Sequence, residues 1–141
     1  MKKTAVIYWS GTGNTEAMAN AVLEGMKSAG ADAVILTPSE VDAAGLDALD
    51  AIAFGCPAMG AETLEDSEFE PMFDQCKGSL GGKKAALFGS YGWGDGEWMR
   101  TWEQDCDDAG ISLVCESVIC CDAPDAVALD ACKALGKLLA E

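Results

Sequence analysis

The chain has 141 residues, 50% hydrophobic and 23% charged, so it holds enough apolar surface for one packed domain spanning 1–141. Its 24 acidic residues against 9 basic ones give a net charge of −15, which excludes the electrostatic footing needed by nucleic acid or an anionic membrane surface. The absence of histidine excludes Ser-His-Asp and Cys-His catalysis. Seven cysteines without a CxxC spacing read as reduced, mostly buried thiols with no metal site, and the lack of a long apolar run or signal-like start predicts a cytoplasmic protein.

Short apolar runs alternate with segments of helical period, the pattern of an α/β fold with a parallel sheet covered on both faces. The first predicted strand is Thr4–Tyr8; a helix from Asn14 follows, with Met18, Val22 and Met26 four residues apart and Gly30 as its stop. Ala33–Leu36 is the second strand, closed by Thr37-Pro38 and followed by one or two helical turns around Val41–Leu49. The third strand, Ala51–Gly55, leads into an acidic loop through Glu62, Glu65, Asp66 and Glu68. A helix then puts Phe69, Met72, Phe73 and Cys76 on one face before Lys77-Gly78.

Ala85–Gly89 is the fourth strand, and the glycine-rich loop Ser90–Gly96 opens a helix from Glu97 to Ala109 whose inward positions are Trp98, Trp102, Cys106 and Ala109. Ser112–Val118 is the fifth strand, with Cys120 and Cys121 in the loop beyond it. Asp125 is the predicted N-cap of a last helix that turns Leu129, Cys132, Leu135 and Leu139 inward. Five βα units predict a doubly wound sheet, which binds ligands beyond the carboxyl ends of its strands where the strand order reverses. The loops after strands one, three and four are therefore the ones that carry chemistry.

In the first of these, Ser10-Gly11-Thr12-Gly13-Asn14-Thr15, hydroxyls, glycine amides and the free amides of the next helix converge on one concavity, as a phosphate monoester requires. It is not a Walker loop, because no lysine lies between Lys3 and Lys27, and Glu16 stands where a dinucleotide fingerprint needs its third glycine. In the second, Cys56-Pro57-Ala58-Met59-Gly60-Ala61-Glu62, a flexible apolar side chain sits beside a glycine free to turn or flip. Taken alone, that pair favours a core methionine beside a turn glycine over a ligand contact. In the third, Ser90-Tyr91-Gly92-Trp93-Gly94-Asp95-Gly96, two large aromatics stand among glycines that give them no packing neighbours, an arrangement explained by a planar ligand.

SGTGNT, AMGAE and SYGWGDG resemble the three FMN loops of flavodoxins, and the similarity runs from Lys2 to Leu139. It is to the short-chain, clostridial type, because Ser112–Val118 carries no long-chain insertion; Ala61 departs from the polar or acidic residue of many relatives. The resemblance implies a five-stranded sheet in the order 2-1-3-4-5, the order flavodoxins exemplify, with FMN as cofactor. It places the phosphate on Ser10, Thr12, Asn14 and Thr15 with the amides of Gly11 and Gly13, and the flavin ring between Met59 and Trp93. Glu62 would accept from flavin N3, and the amides around Gly92, Gly94 and Gly96 would meet the pyrimidine oxygens. Pro57, Ala58, Gly60, Ser90 and Tyr91 complete the binding set, with Tyr91 and Trp9 packed behind the loops rather than on the ring.

The function so implied is electron transfer rather than enzymology: a low-potential one-electron carrier cycling FMN between semiquinone and hydroquinone. Glu62, Glu65, Asp66, Asp95 and Glu97 around the expected site, with no Lys or Arg in the three loops, disfavour an anionic ring, and a flipped Gly60 carbonyl would meet flavin N5. A monomer working with basic redox proteins, reductases or low-potential acceptors, is expected. The rival on the same fold is a flavin-dependent NAD(P)H or quinone reductase, which needs room where Trp93 stands. A phosphoacceptor receiver domain would need carboxylates where this chain has Trp9-Ser10 and Cys56-Pro57.

Overall fold

In the computed structural model, which describes residues 2–59, 63–92, 94 and 96–141, strands β1 (Lys3–Tyr8), β3 (Ala51–Gly55) and β4 (Lys84–Tyr91) form the centre of a parallel sheet. β2 (Asp32–Leu36) lies outside β1, while β5 (Ser112–Leu113) and β6 (Val118–Cys121) share the far side of β4, giving the order β2-β1-β3-β4-β5. The central strands bury both faces by strict alternation. Val6, Ala51, Ala53, Ala86 and Phe88 face helices α1 (Asn14–Ser28) and α5 (Ala126–Ala140). Ala5, Ile7, Ile52, Phe54, Ala85 and Leu87 face α3 (Phe69–Cys76) and α4 (Glu97–Asp108), with Leu46 of the short α2 (Ala43–Asp47) at the margin.

On the second face the aromatics interlock edge to face. Phe73 meets Phe54 at 5.1 Å and Trp102 at 5.6 Å, with Phe69 at 5.4 Å from Trp102, so the helical spacing of Trp98 and Trp102 is core packing, as their burial also shows. Met18, Val22 and Met26 are fully buried on the opposite face. The seven cysteines are free thiols; burial pushes Cys56, Cys106 and Cys132 up to about 12 and Cys76 and Cys120 up to about 11.

Three sequence expectations change. The fifth strand is broken: Val114 still donates to Ala85 O (3.0 Å), but Ser117 then donates its hydroxyl to Glu103 on α4 (2.7 Å), and regular pairing with β4 resumes only at Val118. Cys120 and Cys121 therefore belong to a strand, paired with Ser90 and Tyr91, rather than to a loop. Ala109 is exposed as the C-cap of α4 instead of facing inward, since the helix ends at Asp108 and Gly110 (φ 76°) turns the chain away.

Helices α1 and α5 approach closely because each offers a glycine at the crossing. A Cβ on Gly25 would stand 2.1 Å from the Lys133 carbonyl oxygen, and one on Gly136 would stand 2.1 Å from that of Val22. Both obstacles are backbone, so the helices themselves would have to separate. Gly136→Ala should therefore lower the unfolding free energy by about 2 kcal/mol, overpacking outweighing the better helix propensity of alanine. Urea denaturation reads this directly, and an unchanged or higher midpoint would show that the crossing can widen at no cost.

Candidate functional site

Because the connection after β1 runs to β2 on one side and the connection after β3 runs to β4 on the other, a crevice opens between β1 and β3 beyond the carboxyl ends of the strands. There a cavity of about 240 Å³ is lined by Trp9, Gly11, Thr12, Asn14, Pro57, Ala58, Met59, Ser90, Tyr91, Gly92 and Asp122. All three chemistry-bearing loops contribute to it. Gly13 takes a left-handed conformation (φ 95°) as the N-cap of α1, and its amide donates to Ser10 Oγ at 3.0 Å. Among the described residues no side chain caps this helix, so its first-turn amides and positive dipole end suit an anion.

The second loop is pinned at both ends. Ala58 N donates to Ser90 O (3.0 Å), and Met59 and Thr63 exchange backbone bonds of 2.9 and 3.2 Å. Behind the third loop, Trp98 Nε1 donates to the Cys56 carbonyl (3.1 Å) and its ring packs on Tyr91 at 5.5 Å. A Cβ on Gly89 would lie 2.2 Å from the Cys56 carbonyl oxygen, so only glycine lets β4 pass this close to the second loop.

The structure does not bring every expected residue to the cavity. Thr15 is buried beneath it, its hydroxyl 3.2 Å from that of Ser90. Ser10 borders a neighbouring polar recess with Tyr8, Glu16 and Glu68, while Gly13, Gly94 (φ 83°) and Gly96, the N-cap of α4 (φ 90°), shape turns without lining the cavity. Gly60, Ala61, Glu62, Trp93 and Asp95 lie outside the described residues.

Two aromatics border the cavity. The Trp9 indole lies against Gly11 and donates to Glu68 (2.8 Å), and Tyr91, its ring packed on Trp98, lines the cavity as well. Asp122 is a lining residue that sequence reading missed. It is the non-glycine residue with positive φ (59°) among the described residues, its amide donates to Tyr91 O at 2.7 Å, and no local motif marks it, because its position depends on β6 pairing with β4.

Glu65 is also corrected. Expected among the acidic residues whose charge surrounds the site, it is 4% exposed, and its carboxylate accepts from the amides of Ser67 (2.9 Å), Glu68 (2.7 Å) and Phe69 (2.8 Å) and from the Ser67 hydroxyl. Burial pushes its pKa up, but these four donors outweigh it and hold the carboxyl below its ordinary range. Asp66, Glu68, Glu70 and Glu97 remain exposed.

The cavity is thus lined by the hydroxyl- and amide-bearing Thr12, Asn14 and Ser90 together with Trp9, Met59 and Tyr91, with no Lys or Arg among its described lining residues. That donor set suits a phosphate monoester joined to a flat ring, which is the shape of FMN. The comparisons agree: the flavodoxin family model matches residues 6–136. The flavodoxin of Megasphaera elsdenii is 45% identical over 136 residues, covering 96% of this chain and 97% of the relative, and that of Clostridium beijerinckii is 44% identical over 135 residues. The solution structure of the two-electron reduced Megasphaera elsdenii protein superposes with a TM-score of 0.89 over 97% of this chain and 98% of that one. With fold, cavity and relatives in agreement over nearly the whole length, the chain belongs to the flavodoxin family and is an FMN-binding electron carrier of the short-chain, clostridial type, not an enzyme.

Proposed function

We propose that this chain carries single electrons at low potential between basic redox proteins of the cytoplasm, with FMN held in the cavity beyond β1, β3 and β4. The observation that supports this reading most is a single cavity at the strand ends lined both by hydroxyl and amide side chains and by aromatic ones, with no cationic side chain among its described lining residues. When bound, FMN supplies one-electron chemistry. The chain's own residues bind and orient it.

Thr12, Asn14 and the amides at Gly11 and Gly13 offer donors to the phosphate, with Ser10 fixing the turn through Gly13. Met59 and Tyr91, with Trp93 in the reading from the resemblance, cover the ring and exclude water. Glu62, Gly60, Gly92, Gly94 and Gly96 are assigned to the ring's polar edge on the same ground. Asp122 and the exposed Asp66, Glu68, Glu70 and Glu97 create a negative field near the cavity, which opposes added negative charge there and so keeps the potential low.

The purified protein is expected to be yellow and to release one FMN per chain, and its reductive titration should resolve into two one-electron steps, the second at low potential. Release of FAD, or failure of the apoprotein to take up FMN, would overturn the reading. A single two-electron step with rapid bleaching by NADH would favour a reductase instead.

A further inference from the structure

One residue touches all three loops. Ser90, at the end of β4, sets its hydroxyl 3.2 Å from that of Thr15 in the first turn of α1, while its carbonyl accepts from Ala58 N of the second loop (3.0 Å). It also opens the third loop and lines the cavity. Both hydroxyl-bearing residues are buried, Thr15 at 1% and Ser90 at 5% exposure, so the pair is not an incidental surface contact. Thr15 and Ser90 are 75 residues apart in sequence, and only the β1-β3-β4 order brings them together.

We infer that Ser90 is a positioning residue that couples the phosphate end of the cavity to its ring end. The inference rests on the reading that the cavity holds FMN. Two hydroxyls carry two hydrogens, and the bond between them uses one. Among the described residues no other side-chain bond takes the second hydrogen. If Ser90 donates to Thr15, the Thr15 hydrogen is directed away from β4, toward the donor end of the cavity, where an anion orients it. Filling the phosphate end thereby fixes the direction of the Ser90 hydroxyl, and the same residue's carbonyl holds the Ala58-Met59 backbone that borders the ring end. The general ground is that buried hydrogen-bonded chains polarise and orient one another, so that losing either member costs most of what the pair contributes.

The test is a double-mutant cycle on the apoprotein, with FMN and, separately, riboflavin as probes of affinity by flavin fluorescence quenching. Ser90→Ala and Thr15→Val should each weaken FMN by about tenfold, and the double variant should be no worse than about tenfold. Thr15→Ser, which keeps the hydroxyl, should restore FMN affinity to within about twofold of the unaltered protein. Ser90→Ala should weaken riboflavin as well, since coupling reaches the ring end; a residue that merely contacted phosphate would leave riboflavin unchanged. Losses that multiply in the double variant, or Ser90→Ala binding FMN as tightly as the unaltered protein, would overturn the coupling. If the unaltered apoprotein itself takes up no FMN, the reading of the cavity fails instead. Thr15→Ser keeps the test decisive should Thr15→Val not fold.

Discussion

Replacing Glu65 by Ala should destabilise the fold by about 3 kcal/mol at neutral pH, more than a hundredfold in the folding equilibrium. Its carboxylate accepts from three consecutive amides and one hydroxyl at the entry to α3, for which no other side chain acts as cap. Each charge-assisted bond contributes about 1.5–3 kcal/mol, but water reaching the freed amides keeps the total well below their sum. Glu65→Gln should fall between the two, because an amide accepts through one oxygen and turns a donor toward the remaining N–H groups. The pH dependence has a definite sign. The carboxyl is held below its ordinary value in the folded state, so its contribution is complete above the unfolded value of about 4.3 and is lost as the pH falls through the lower folded value. Urea midpoints of the unaltered protein and Glu65→Gln should therefore differ most at pH 7 and converge below about pH 4. A difference that persists undiminished at pH 3 would mean that the side chain stabilises by packing alone.

Glu65 also shows where sequence reading stops. Glu65, Asp66 and Glu68 look alike in the sequence, yet Glu65 turns inward because the chain folds back on its oxygens and three amides need an acceptor. Nothing local distinguishes it. The three loops, by contrast, were legible because their chemistry is local: hydroxyls, glycines and aromatics in short runs, each placed after an apolar strand. The strands themselves followed from apolar runs, and the helices from their periods.

What depends on pairing between distant segments could not be read in advance. The Thr15–Ser90 contact depends on α1 meeting β4, and the place of Asp122 in the cavity depends on β6 pairing with β4 up to Tyr91. The break between β5 and β6 has the same origin, since Ser117 donates to Glu103 on the preceding helix α4. The close crossing of α1 and α5 through Gly25 and Gly136 likewise joins glycines that look unremarkable within their own helices.

Charge is distributed along the strand direction, and this sets the last expectation. Lys2, Lys3, Lys83 and Lys84 stand at the amino ends of β1 and β4, and Lys27, Lys77 and Lys137 lie at the ends of α1, α3 and α5, which run back to that side. The exposed Asp66, Glu68, Glu70 and Glu97 lie on the loops and first helical turns at the carboxyl ends, beside the cavity. The negative field is thus diluted at one end of the molecule and concentrated at the end where electrons leave, so a basic partner should be both attracted and turned the right way round. Electron delivery to a basic acceptor such as a cytochrome should slow steeply between 0.1 M and 1 M salt, as the Debye length falls from ~10 Å to ~3 Å. Exchanging Asp66 for Asn together with Glu70 for Gln should flatten that decline while leaving the flavin potentials nearly unchanged, because both side chains are solvated at the surface. Glu68 is left intact in this design since it holds the Trp9 indole. Asp47 is the control: it is exposed and lies just ahead of β3, at the amino end of the sheet, so Asp47→Asn should leave the salt profile as it was. Asp42 cannot serve, because it caps α2 through Gly45 N at 2.6 Å and its loss would act through stability. Stopped-flow rates that stay flat with salt, or that respond to Asp47 as strongly as to Asp66 and Glu70, would refute steering by the cavity rim.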